Sequence, residues 1–174
     1  MKNNNIIDPD IQVKIRIEDK KYSDLSKGFQ ILYWFLAVAY TLLIVSEVFI
    51  GGNVYEIIGG VCYLFAMLIF ALIFKYYHKV YNSVDYGEPV LTMLKRAKKR
   101  YEPFQWNQLW LVPAIGFIDT GLILNSFKDT DVLMFQIFFF SGLALSFGIG
   151  VIYWYIRYKP LYDEIKGLIK DIES

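Results

Sequence analysis

Two carboxylates interrupt apolar runs of this chain, Glu47 and Asp119, and a third, Glu56, follows the turn that closes the first run. An acid inside a membrane-crossing stretch is costly and usually marks an ion or substrate path. If the three shared an outward-facing pocket, one carboxyl of a close pair would keep its proton at neutral pH. That is the chemistry of a proton-coupled carrier. Depth weighs against it. Glu47 lies three residues from the end of its run and Asp119 five from the end of its own, about 4–5 Å and 7–8 Å at helical rise. The alternative is a set of interfacial carboxylates, solvated or bonded to Ser46, Thr120 or Asn125.

No other constellation offers reactive chemistry. His78 is the only histidine and stands at the end of an apolar run, where an interface role is the plainer reading. Cys62 is the only cysteine, which excludes an internal disulfide and a thiolate metal site. No Ser-His-Asp set, metal-ligand spacing or phosphate-binding glycine loop is present. Gly51-Gly52 belongs to a turn and Gly59-Gly60 to a span. The expectation is a protein with no catalytic, metal or cofactor residues, and not an enzyme. The net charge of +1 gives no field for nucleic acid, so no such partner is expected.

The patterned charge lies elsewhere. Lys95, Arg96, Lys98, Lys99 and Arg100 crowd a segment bracketed by Pro89 and Pro103. Proline suits a first helical turn and stops a helix it follows, so a helix is expected over 89–102. Val90, Leu94, Ala97 and Tyr101 put an apolar stripe on it. Past Pro160, Leu161, Ile165, Leu168 and Ile172 repeat the spacing over 159–174, on a helix made acidic by Asp163, Glu164, Asp171 and Glu173. Three arrangements remain open. The helices pack on each other with opposite charges adjacent. The basic one rests on anionic lipid. Or both dock a protein partner. Helices this short are marginal alone, so something must cover the stripes.

These segments hang from four apolar runs, about 29–50, 55–74, 104–124 and 132–156. Each approaches the roughly 20 residues that span a bilayer. The apolar fraction of 56% exceeds the about 45–50% of soluble domains. Backbone polar groups in lipid must be paired internally, so each run is a helix. The short connections Gly51-Gly52-Asn53 and Asn125–Asp131 make two hairpins. The fold class is all-α, a four-helix transmembrane bundle over 29–158, with the bilayer as its first partner. All but one of the 18 Lys and Arg residues, Lys128, fall on the side holding both ends, which is therefore cytoplasmic. The first run lacks a small-residue cleavage site and is expected to remain as a span.

Finer expectations follow. In the tail, residues 1–28, Ile11 to Ile17 alternate apolar with polar, which suits a half-buried strand awaiting a partner strand, or a disordered tail at the membrane surface. Pro113 is placed to kink the third span and free a carbonyl. Gly142, Ser146 and Gly150 form a small-residue stripe on the fourth span, for packing inside the bundle or for a homodimer.

The stretch Val84-Asp85-Tyr86-Gly87-Glu88-Pro89-Val90, the basic helix after it, the Trp-containing third span and the ending Lys159-Pro160-Leu161…Ile165-Lys166…Ile169 resemble small four-span bacterial inner-membrane proteins, some encoded beside extracytoplasmic-function sigma factors. The resemblance implies a regulatory or accessory role near an envelope-stress system and carries over no catalytic residue. The expected function is thus a regulatory or accessory membrane protein presenting cytoplasmic helices to a partner. The alternative is a small proton-coupled carrier using Glu47 and Asp119.

Overall fold

The computed structural model describes residues 9–126 and 132–173. Lys128 and most of the Asn125–Asp131 connection lie outside the described residues. Those described form six α-helices and one 3-10 turn, with no strand among them: α1 (Pro9–Ile50), α2 (Val54–Asn82), α3 (Val90–Tyr101), the 3-10 turn Trp106–Trp110, α4 (Leu111–Asn125), α5 (Val132–Arg157) and α6 (Lys159–Glu173). Four segments among the described residues are long and apolar enough to cross a membrane: Ile11–Ile50, Val54–Asn82, Val90–Asn125, which ends in α4, and Val132–Arg157.

Residues 11–17 are not a strand. The described part of the tail, residues 9–28, is the first five turns of α1, a single helix of 42 residues. Helical spacing explains the alternation. Ile11, Ile15 and Asp19, four apart, are buried, whereas Val13 and Ile17 are 55% and 48% exposed. A strand needs a second strand to pair its edges. A helix pairs its backbone internally, and here it also finds helices to bury its apolar face.

α1 ends at Gly51, whose φ of 78° only glycine adopts freely. The Gly52 N–H then reaches back to the Glu47 carbonyl at 2.7 Å, satisfying an orphan acceptor of the last turn. Asn53 starts α2 by accepting from the Tyr55 N–H at 3.3 Å. The two helices run antiparallel. Tyr22 stacks on Tyr81, Phe29 on Phe74, Tyr33 on Phe70, and Tyr40 tilts against Tyr63.

α2 also packs on α4, with Phe65 stacked on Phe117 at 5.5 Å. Their backbones meet at two glycines. A Cβ on Gly121 would lie 3.1 Å from the Gly59 carbonyl oxygen, and one on Gly59 3.2 Å from that of Gly121. Close helix approach thus uses Gly59 and Gly121 and not the expected stripe of α5. A Cβ on Gly142 or Gly150 meets nothing within 4 Å, and Ser146 is exposed. No residue of α5 is buried.

The third crossing is built in two pieces. α4 alone has 15 residues, about 22 Å at helical rise. The 3-10 turn adds five, about 10 Å at its steeper rise. Pro113 falls in the first turn of α4, where a missing N–H costs little. The change of helix type lies before it, where the Leu111 N–H is shared by the Gln108 and Leu109 carbonyls. Pro160 likewise sits in the first turn of α6, with Tyr158 between α5 and α6.

Candidate functional site

The first part of α1, α3 and α6 form a three-helix module at one end of the bundle. Its core joins Ile11 and Ile15 to Met93, Leu94, Ala97 and Tyr101, and to Leu161, Ile165 and Ile169. Both apolar stripes are therefore used against each other and against α1. On α3 the stripe is as expected, with Val90 at its margin. On α6 the register differs by a residue. Ile169 is buried, Leu168 is partly buried, and Ile172 is 48% exposed.

Opposite charges line the seams. Lys95 of α3 pairs with Glu173 of α6 at 2.6 Å, Lys14 of α1 with Glu164 at 3.6 Å, and Arg157 with Glu18 at 2.7 Å. These side chains are mostly about half exposed, and such pairs are usually worth under about 1 kcal/mol. Lys14→Ala and Lys95→Ala are each expected to shift stability by less than about 1 kcal/mol, checked by thermal unfolding in detergent.

One charged group among the described residues is fully buried. Asp19 continues the Ile11–Ile15 face by another turn. Its Oδ2 accepts from Arg100 Nη2 at 2.8 Å and from the Tyr86 hydroxyl at 3.0 Å, and its Oδ1 accepts from the Tyr101 hydroxyl at 2.9 Å. Burial pushes its carboxyl above the ordinary range, while the Arg100 charge and then the Tyr101 and Tyr86 hydroxyls oppose that. Burial and then the Asp19 charge push the Tyr86 phenol up to about 12, so it stays a donor. The clasp ties α1 to α3 and to the loop between α2 and α3.

That loop is the segment Val84–Glu88, and several of its letters have a job. Asp85 Oδ1 accepts from the Gly87 N–H at 2.8 Å, turning the chain. Tyr86 enters the clasp and lies under the Arg16 guanidinium. Glu88 pairs with Arg96. Pro89 then opens α3.

The far end of α3 is held by side chains from three places. The Arg100 carbonyl accepts from Tyr81 at 3.4 Å and from Gln105 at 2.6 Å, and the Tyr101 carbonyl accepts from Trp154 Nε1 at 3.0 Å. Carbonyls that a helix end leaves open are thereby paired. His78 links α2 to α1, its Nδ1 lying 3.0 Å from both the hydroxyl and the carbonyl oxygen of Ser23. Tyr22, Tyr81, Tyr101 and Tyr158 stack through the junction.

Of the expected basic surface, Arg100 is thus an internal residue, its side chain 11% exposed. Arg96 and Lys95 are paired at the rim. Lys98 and Lys99 make no ion pair among the described residues. A period of two over residues 11–17 gives Asp19 no place in the pattern. At a helical period it stands out as a carboxylate on an apolar face.

Asp119, Glu47 and Glu56 lie on α4, α1 and α2. Asp119 accepts from Gln136 of α5 at 2.8 Å. Glu47 lies against the turn, its Oε2 2.3 Å from where a Gly52 Cβ would stand. Glu56 occupies the first turn of α2. The chain matches no protein-family model, no curated protein and no solved structure.

Proposed function

We propose that this chain is a non-enzymatic regulatory or accessory protein of a bacterial inner membrane, with two transmembrane hairpins, both ends in the cytoplasm and the three-helix module held out to a protein partner. The observation that carries this is the outer face of α1. Val13 and Ile17, one turn apart, are 55% and 48% exposed while their neighbours Ile11 and Ile15 fill the core. Ile17 lies about 18 Å along the axis from Phe29, where the apolar run begins. The headgroup layer is only about 5–8 Å deep, so lipid does not cover these side chains. An apolar pair on a charged helix suits a protein surface.

The module is also stiffly mounted. α1 is unbroken from Pro9 to Ile50, so movement at the module reaches the span through one helix. The resemblance of the 84–90 segment to four-span bacterial proteins agrees with a regulatory role. The carrier reading has less support, because Asp119 is already engaged by the Gln136 amide of α5.

Photo-crosslinking in cells tests the proposal. A crosslinker at position 13 or 17 is expected to give one discrete protein adduct, and one at Phe147, on the exposed face of α5, none. A crosslinker at Arg16 is expected to lose its adduct when Val13 and Ile17 become serine. Absence of a discrete adduct from 13 and 17 overturns the reading.

A further inference from the structure

Two hollows adjoin where α2 leaves its apolar stretch and the third crossing begins. The first, about 320 Å³, has a mixed wall, with Arg96, Lys99 and Arg100 of α3 and Asp85 and Glu88 of the loop before it set beside Val80, Val84 and Met93. The second, about 340 Å³, is apolar, walled by Ile69, Leu72 and Ile73 of α2 and by Trp110. Tyr76 and Asn107 line both, and the Asn107 amide donates to the Tyr76 hydroxyl at 2.7 Å.

Two residues of the first hollow's wall each carry a buried side-chain atom with no hydrogen-bond partner, Glu88 Oε2 and Arg100 Nε. One is an acceptor and the other a donor. Leaving such atoms unpaired is costly, more so on charged groups. Lys99 in the same wall has no ion pair among the described residues, whereas Arg96 is held by Glu88 and Arg100 by Asp19. A ligand that fits must bring acceptor oxygens with negative charge and a hydrogen-bond donor, and it must continue into an apolar tail.

We propose that the joined hollows bind one anionic glycerophospholipid with a hydroxylated headgroup, of the phosphatidylglycerol type. Its phosphate lies between Lys99 and Arg100 Nε. A headgroup hydroxyl donates to Glu88 Oε2. An acyl chain follows Ile69, Leu72 and Ile73 past Trp110. The depths agree, since the apolar hollow lies on the end of the 55–74 run and the one with charged residues in its wall just beyond it. A choline headgroup lacks the donor and brings a cation towards Lys99. The inference rests on the membrane placement proposed above but is independent of any protein partner.

The test uses the full chain purified in detergent and native mass spectrometry with phosphatidylglycerol, phosphatidylcholine and the water-soluble headgroup glycerophosphoglycerol. One phosphatidylglycerol is expected to be retained about tenfold or more over phosphatidylcholine. Lys99→Gln is expected to weaken it about fivefold, and Leu72→Trp, at an exposed position that fills the groove, comparably. Lys98→Gln, which removes the same charge outside the hollow, is expected to leave it unchanged. Equal retention of the two lipids overturns the proposal. So does equal weakening by Lys98→Gln and Lys99→Gln, which would show diffuse attraction. Displacement of the lipid by an equal concentration of glycerophosphoglycerol would make this a soluble phosphate site and overturn the lipid assignment. Crosslinking at Val13 and Ile17 reads the partner separately, so failure here leaves that reading standing.

Discussion

Asp19→Ala is expected to destabilise the three-helix module by about 3–5 kcal/mol, far more than loss of any rim pair. The residue removed is small, but it leaves the Arg100 guanidinium buried without its counter-charge, and the Tyr86 and Tyr101 hydroxyls without their acceptor. Ion pairs in such a place offset their own desolvation only when both members are present. The effect should be local. The α1–α2 pairing in the span rests on aromatic stacking from Phe29 and Phe74 onward and does not involve Asp19. Hydrogen exchange across 11–23 should therefore rise, and trypsin should cut at Lys20 and Lys21, while exchange within 30–48 stays slow. The double variant Asp19→Leu with Arg100→Met is expected to recover only the part of the loss that comes from the unpaired guanidinium, since the Tyr86 and Tyr101 hydroxyls still lack their acceptor. If Asp19→Ala behaves like Lys14→Ala, the clasp does not hold the module, and the packing of Ile11 and Ile15 does so alone.

The four spans were legible because a long apolar run carries its own evidence: lipid permits little but a helix. The helices at 89–102 and 159–174 were legible for a similar reason, each being opened by a proline, Pro89 or Pro160, and striped at a helical period. The tail was not. Ile11, Val13, Ile15 and Ile17 satisfy a period of two, and a helix that buries one pair and exposes the other satisfies it equally. Only knowledge of what packs against the tail decides between them, and that knowledge is long-range. Arg100 was misplaced for the same reason. Within its segment it is one cation among five, and its burial depends on Asp19, 81 positions away. Small residues posed a further ambiguity. Gly142, Ser146 and Gly150 repeat regularly, whereas Gly59 and Gly121 are each unremarkable until α2 and α4 cross. A repeat on one helix shows that close approach is permitted, and it takes a facing helix to use it.

That distinction gives the second large effect. Gly121→Leu is expected to break the α2–α4 crossing, where a Cβ would fall 2.9 Å from Tyr63 and 3.1 Å from the Gly59 carbonyl oxygen. The ring can turn, but the carbonyl belongs to a helix backbone and cannot yield without moving α2. Overpacking of this kind costs typically about 1–3 kcal/mol, and more where backbones must separate. Gly59→Leu should act alike, its Cβ set against Asn125 and the Gly121 carbonyl. Gly142→Leu and Gly150→Leu should change little, because nothing lies within 4 Å of either added carbon. Thermal unfolding of the four variants in detergent, followed by size-exclusion of the heated samples, separates the two sites. The comparison also reads the stripe on α5. If Gly142→Leu proves as damaging as Gly121→Leu, something outside this chain packs on that face, and a parallel loss of a dimer peak would identify it as a second copy. If only the α2–α4 pair responds, the stripe faces lipid, and the bundle is held at Gly59 and Gly121.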